Sequence, residues 1–200
     1  MTRERLPTAF IPHGGGPWPL MPLPGMPNEE ATALRGYMES IARVPSAAPR
    51  ALLVVSAHWE AEKLTVNSGA APGMLYDYGG FPQEAYELQW PAPGHPAVAT
   101  EVRQRLERAG FATDEDAERG FDHGVFIPLL AAFPAPSIPV VQLSLKRGLD
   151  PAEHLSIGRA LAPLRDDGVF IVGSGNSFHN LRAFFRERTS AMKAHSEAFD

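Results

Sequence analysis

Val169-Phe170-Ile171-Val172-Gly173-Ser174-Gly175-Asn176-Ser177-Phe178-His179-Asn180-Leu181 is the stretch whose reading decides the fold. Four apolar residues, Val169 to Val172, are too few for a helix and suit a strand buried on both faces, which Gly173-Ser174-Gly175-Asn176 then stops. Open α/β sheets bind their ligands beyond the carboxyl ends of the strands, so His179, delivered just after the turn, stands where chemistry takes place. Two other histidines arrive in the same way. His13 follows Thr8-Ala9-Phe10-Ile11-Pro12, and His58 follows Ala51-Leu52-Leu53-Val54-Val55-Ser56-Ala57. One such histidine alone would read as a hydrogen-bonded structural residue. Three repeats of one pattern predict convergence on a common site, because imidazole is the commonest protein metal ligand and needs neighbours to make a site.

Outward from these strands, the chain alternates short apolar runs with helical spacing. Phe10 to Pro12, Arg50 to Ala57, Leu64 to Asn67 and Ile138 to Leu143 read as strands. Helices are expected from Asn28 to about Arg43, from Pro96 to Ala109, from Val125 to Phe133, from Asp150-Pro151 through Ala162, and from Leu181 to Asp200. Strand alternating with helix predicts an α/β fold: a mainly parallel central sheet, helices on both faces, and the site at the carboxyl ends of the strands. No repeat or linker divides the chain, so residues 1–200 are expected to form a single catalytic domain.

Two segments resist periodic reading. Gly14 to Met26 is crowded with Gly and Pro directly after His13, a position where long irregular loops serve function or simply cross the surface. Ala70 to Pro93 carries Tyr76-Asp77-Tyr78-Gly79-Gly80-Phe81-Pro82, then Tyr86 and Trp90. Those rings either line a pocket for a flat ligand or pack on one another as a lid. Phe121-Asp122-His123-Gly124 opens the apolar run Val125 to Phe133. If that run is a helix, the positive end of its dipole lowers the proton affinity of His123, leaving a neutral base or hydrogen-bond donor. Asp122 is read either as the group orienting His123 or as the helix N-cap. His95 and His154 read as surface histidines.

Composition sets bounds on the chemistry. The 200 residues carry 44% hydrophobic and 20% charged residues and a net charge of −5, with no cysteine. Disulfides, iron–sulfur clusters and thiolate zinc sites are therefore excluded, and any metal must sit on His and carboxylates. The scattered basic residues argue against nucleic acid, and no apolar run reaches membrane-span length. Met1-Thr2-Arg3-Glu4-Arg5 opens no secretory signal, so a cytoplasmic location is expected.

There is no H-E-x-x-H and no G-x-x-x-x-G-K-[ST], and Gly173-Ser174-Gly175 lacks the third glycine of a dinucleotide turn. His13-Gly14-Gly15-Gly16 does match an H-G-G-G oxyanion segment, and Gly175-Asn176-Ser177-Phe178-His179 is one residue short of a G-x-S-x-G elbow. A serine hydrolase using Ser177 is thus an alternative expectation. A metal-containing binding protein without turnover is another.

Pro12-His13-Gly14-Gly15-Gly16, Ser56-Ala57-His58-Trp59, Tyr76-Asp77-Tyr78-Gly79-Gly80-Phe81-Pro82, Asp122-His123-Gly124-Val125, Val141-Gln142-Leu143-Ser144 and Gly173-Ser174-Gly175 with His179-Asn180-Leu181 stand in the order seen in class III extradiol ring-cleavage dioxygenases. More narrowly, the chain resembles their LigB-like, DOPA 4,5-dioxygenase branch, from Phe10 to about Leu181. The resemblance implies one Fe2+, or Zn2+, per chain and a small aromatic diol opened with O2. It further implies that His13 and His58 are metal ligands, that His179 lies at the metal as ligand or acid/base group, and that His123 contacts substrate or bound oxygen. A first-shell place for His179 is expected, giving His13, His58 and His179 as the ligand set with His123 and His179 in the chemistry. The family's later P-x-P-E-H-like segment has no counterpart here, since His195-Ser196-Glu197 does not match it. The chain is accordingly expected to lack a C-terminal segment, and the carboxylate of a two-His-one-carboxylate site is not identified.

Overall fold

A computed structural model describes residues 4–21, 28–176 and 190–199. The strands are β1 (Thr8–Ile11), β2 (Ala51–Ala61), β3 (Leu64–Asn67), β4 (Thr113–Asp116), β5 (Val140–Lys146) and β6 (Val169–Ser174). The helices are α1 (Asn28–Ser40), α2 (Pro96–Arg108), α3 (His123–Ala132), α4 (Pro151–Leu161) and α5 (Ser190–Phe199). The six strands form one sheet in the order β1-β6-β2-β5-β3-β4. Every pairing is parallel except β3 with β5. The expected α/β architecture is the one observed.

The two faces can be read from β2. Leu52 and Val54 enter one core with Phe126, Ile127 and Leu129 of α3, against which α1 packs. Ala51 and Leu53 enter the opposite core with Val98 and Val102 of α2 and Ile157 and Leu161 of α4. Successive side chains of a strand point to opposite faces, so a strand covered on both sides needs an unbroken apolar run, which 51–55 supplies. Burying a Leu or Phe here contributes roughly 1.5–3 kcal/mol each. Local signals set the helix starts: His95 accepts from Val98 N–H before Pro96, and the Asp150 carboxylate accepts from Glu153 N–H at 2.7 Å before Pro151.

Three boundaries differ from the sequence expectation for physical reasons. β2 runs on to Ala61, with a register irregularity against β5 between Val55 and Glu60, so His58 lies inside a strand rather than after one. β4, Thr-Asp-Glu-Asp, is a polar edge strand with no apolar alternation to announce it. Its carboxylates are matched from outside by Lys63 on Asp114 and Arg103 on Glu115. α3 begins at His123 itself, and nearly all of it is buried.

α3 also contains Pro128. Proline has no N–H and pushes aside the carbonyl four residues back, so the Gly124 carbonyl loses its helical partner. The hydroxyl of Ser174, the last residue of β6, donates to that carbonyl instead. One helix defect thus becomes a docking point for the end of a central strand.

Candidate metal centre

β1 ends two residues before His13, which is 1% exposed. The chain then turns through Gly14 and Gly16, both at positive φ (74° and 58°). A Cβ on Gly14 would stand 2.8 Å from Pro19, and one on Gly16 would stand 3.0 Å from the Phe81 ring. Glycine is therefore required at both, for backbone freedom and for space. In β2, the irregularity before Glu60 carries His58, whose backbone N–H donates to Ser56 Oγ at 3.2 Å. His123 is buried at the first position of α3.

These elements bring three imidazoles together. Ring centroids stand 4.8 Å apart for His13 and His58, 5.2 Å for His13 and His123, and 3.9 Å for His58 and His123. One ring nitrogen from each lies within 4.8 Å of the others, and the Nε2 atoms of His13 and His58 face each other at 2.9 Å. His179, Ser177 and Asn180 lie outside the described residues.

The hydrogen bonds around the cluster determine which nitrogens point inward. Ser174 has one hydroxyl proton, and it goes to the Gly124 carbonyl. Its oxygen therefore accepts from His13 Nδ1–H at 2.9 Å, which leaves a lone pair on His13 Nε2. His123 Nδ1–H donates to Asp77 Oδ1 at 2.7 Å, and the His123 backbone N–H donates to the same oxygen at 3.0 Å. His123 Nε2 is then the nitrogen with the lone pair. Asp77 Oδ2 lies 3.6 Å from His58 Nδ1. Partial burial alone would push the Asp77 carboxyl up. The ring and backbone hydrogen bonds from His123 oppose it, joined by the attraction of either imidazole when protonated, and the group lies below the usual carboxylate range.

Asp122 is the N-cap residue of α3, one of the two roles read for it, but it caps through its backbone carbonyl, and its fully buried carboxylate makes neither a cap bond nor a bond that orients the His123 ring. It accepts instead from Ser56 Oγ at 2.7 Å, from Arg119 Nη2 at 3.1 Å and from the Gln142 amide. The Arg119 guanidinium lies 4.5 Å over the Trp59 ring. Asp122 is thus the charged centre of a buried network that ties β2, β5 and the start of α3 together beneath the histidines. Sequence reasoning missed Asp77, Ser174, Ser56, Arg119 and Gln142 as supporting groups. Gln142 carried a signal, as a lone amide in the apolar run Val140-Val141-Gln142-Leu143. Asp77 carried another, as an acid between two tyrosines.

The rings of the aromatic loop pack on one another, as one of the two readings had it, and stand beside the histidines. Tyr78 packs on Phe81 and Tyr86, each with centroids at 5.4 Å, and stands 5.8 Å from the His123 ring. The Tyr76 hydroxyl donates to Leu88 O at 2.8 Å and the Tyr78 hydroxyl to Ala85 O at 2.6 Å. Burial raises the pKa of both hydroxyls. His95 and His154 are half-buried and built into the frame; His154 Nε2 accepts from Lys146 N–H at the end of β5.

The donor set fits a first-row divalent ion. Two nitrogens held at ~2.1 Å from one ion stand roughly 3.0–3.4 Å apart at right to tetrahedral angles, close to the 2.9 Å between His13 and His58. Imidazoles without thiolates suit iron or zinc. Among the described residues no helix is long and apolar enough to cross a membrane.

A family model described as the catalytic LigB subunit of aromatic ring-opening dioxygenase matches residues 7–200. The chain is 41% identical over 192 residues to dioxygenase tasH of Hapsidospora irregularis, covering 92% of this chain and 58% of that protein. It is 38% identical over 182 residues to the 4,5-DOPA dioxygenase extradiol of Escherichia coli (strain K12), covering 91% and 63%. It also resembles the crystal structure of uncharacterized protein JW3007 from Escherichia coli K12, with TM-score 0.67, 33% identity, and 90% and 63% of the two chains covered. The chain spans about three-fifths of the length of these relatives. Nothing in the comparisons points to a hydrolase. With the match running across β1, α3 and β6 alike, the chain belongs to the LigB family.

Proposed function

We propose that this chain is a metal-dependent extradiol dioxygenase domain that opens the ring of a catechol-like aromatic with O2. The observation that carries the reading is the convergence of His13, His58 and His123 at the carboxyl ends of the strands, beside an aromatic wall. Membership of a family described by ring-opening dioxygenase activity supports the same chemistry. His13 and His58, whose Nε2 atoms face one another, hold the metal in this reading. His179 stands third in the ligand set on sequence grounds alone.

Bound there, Fe2+ would supply the open positions at which the diol and O2 meet, and Zn2+ would occupy the same donors without redox chemistry. The chain's own groups do the rest. The Tyr78 and Phe81 rings offer a flat apolar surface beside His123. His123 Nε2, left bare by the Asp77 bond at Nδ1, takes a proton from a diol hydroxyl and later returns it. The charge of Asp77 stabilises the imidazolium in between.

Anaerobic loading with Fe2+, followed by a catechol and then air, tests the proposal. Oxygen uptake with a yellow ring-opened product is expected. Metal and catechol binding without uptake across a panel of catechols would overturn it in favour of a binding protein.

A further inference from the structure

Two of the three histidines share one carboxylate, and it comes from the aromatic loop. We propose that Asp77 is a positioning residue for both His58 and His123, holding each ring so that its Nε2 faces the same point. The inference rests on the metal-site reading above.

The geometry is specific. Oδ1 takes both N–H groups of His123, ring and backbone, at 2.7 and 3.0 Å. The ring can therefore neither flip nor slide along the helix axis without losing a bond. Oδ2 faces His58 Nδ1 at 3.6 Å, and the two rings stand 3.9 Å apart, tilted by 48°. One anion beside both Nδ1 atoms favours a proton on each, which leaves the Nε2 of His58 as a donor to a cation and the Nε2 of His123 as a proton acceptor beside it. His13 receives the same treatment from a neutral group, Ser174.

The loop is held in register for this task by its backbone. Leu75 N–H donates to Phe121 O, Phe121 N–H donates to Gly73 O, and Asp77 N–H donates to Leu75 O. Met74 and Phe121 thus form an isolated parallel bridge two residues before His123. Asp77 is registered to His123 through main-chain bonds and not through a flexible side chain. Its neighbours Tyr76 and Tyr78 form the aromatic wall, so one segment supplies both the wall and the group that aims the histidines.

The test uses the full chain with Asp77→Asn and Asp77→Ala. Long-range 1H–15N NMR on metal-free protein reads the tautomers of His58 and His123, and competition with a chromophoric chelator reads Zn2+ affinity. Wild type is expected to show His123 protonated at Nδ1. Asp77→Ala should populate the Nε2–H form of His123 and weaken Zn2+ binding about 10–100-fold. Asp77→Asn keeps an acceptor oxygen but loses the charge. It should retain the His123 tautomer and weaken Zn2+ about tenfold, a partial rescue that a purely structural role would not give. His123 wholly in the Nδ1–H form in Asp77→Ala, or Zn2+ affinity within twofold of wild type in either variant, would overturn the proposal. If Asp77→Ala does not fold, the affinity of the near-isosteric Asp77→Asn decides. Failure of wild type to bind Zn2+ would sink the metal-site reading, while the tautomer measurement would still judge Asp77.

Discussion

Ser174→Ala isolates the join between fold and site. The hydroxyl donates to the Gly124 carbonyl freed by Pro128 and accepts from His13 Nδ1–H at 2.9 Å, all of it buried. Removing it takes a hydrogen-bond partner from one buried acceptor and one buried donor, at about 1–3 kcal/mol each before relaxation, so a loss of about 2–4 kcal/mol is expected. For a domain of this size that lowers Tm by roughly 4–16 °C. It also lets His13 move its proton to Nε2, where it would block the cation, so Zn2+ affinity should fall about 10–100-fold. Pro128→Ala separates the two effects. Its new N–H can fill the Gly124 carbonyl, so Ser174→Ala made in the Pro128→Ala background should cost about 1–2 kcal/mol less than in wild type. The loss of Zn2+ affinity should be the same in both backgrounds, since an N–H at residue 128 offers no acceptor to His13. Chemical denaturation and chelator competition on the four proteins measure both quantities. Equal destabilisation in the two backgrounds, or unchanged affinity in Ser174→Ala, would refute the reasoning.

Three further outcomes are expected. His13→Ala or His58→Ala should abolish metal retention, measured by metal analysis after desalting, whereas His123→Ala should keep the metal and lose turnover by roughly 10²–10⁴. Metal loss in His123→Ala would place that residue among the ligands. Gly124→Ala puts a Cβ 2.5 Å from Ser56 Oγ and 3.2 Å from His13 Nδ1, so it should displace both groups and reduce Zn2+ affinity in a protein that circular dichroism reports as folded. Asp77 has a folded pKa below its unfolded value. Its contribution to stability is therefore present above the usual carboxylate range and lost as pH falls through the folded value, and Asp77→Asn should flatten the acid limb of denaturation curves taken between about pH 2 and 5.

Much of this was legible because it depends on local pattern. Leu52-Leu53-Val54 and Phe170-Ile171-Val172 announce doubly covered strands, and His13 and His58 follow apolar runs closely enough to mark the end of the sheet that carries the site. His123 was legible as the opening of a helix. What was not legible depends on distant partners. No local signal makes Asp77, rather than the adjacent Asp122, the partner of His123, because that choice is made by the Met74–Phe121 bridge. β4 escaped because Thr-Asp-Glu-Asp has a composition that disfavours strands, and only pairing with β3 enforces one. The extension of β2 past His58 escaped because an irregular register leaves no periodic trace.

The position of β1 in the sheet bears on how the molecule is made. Among the described residues β1, near the start of the chain, pairs only with β6, and β6 in turn lies between β1 and β2. His13 therefore has no fixed place until residues 169–174 have inserted, and its own bond to Ser174 closes a loop of 161 residues. Such high contact order makes the site a late product of folding. A nascent chain emerging amino end first holds His13 and His58 well before it holds the strand that aligns them, so a metal held as proposed would be captured after the sheet is complete and would not template it. Such an ion would stabilise only the finished fold by mass action, by about 2.7 kcal/mol at a hundredfold excess over its dissociation constant. A chelator should accordingly strip this protein without unfolding it, the reverse of a zinc finger.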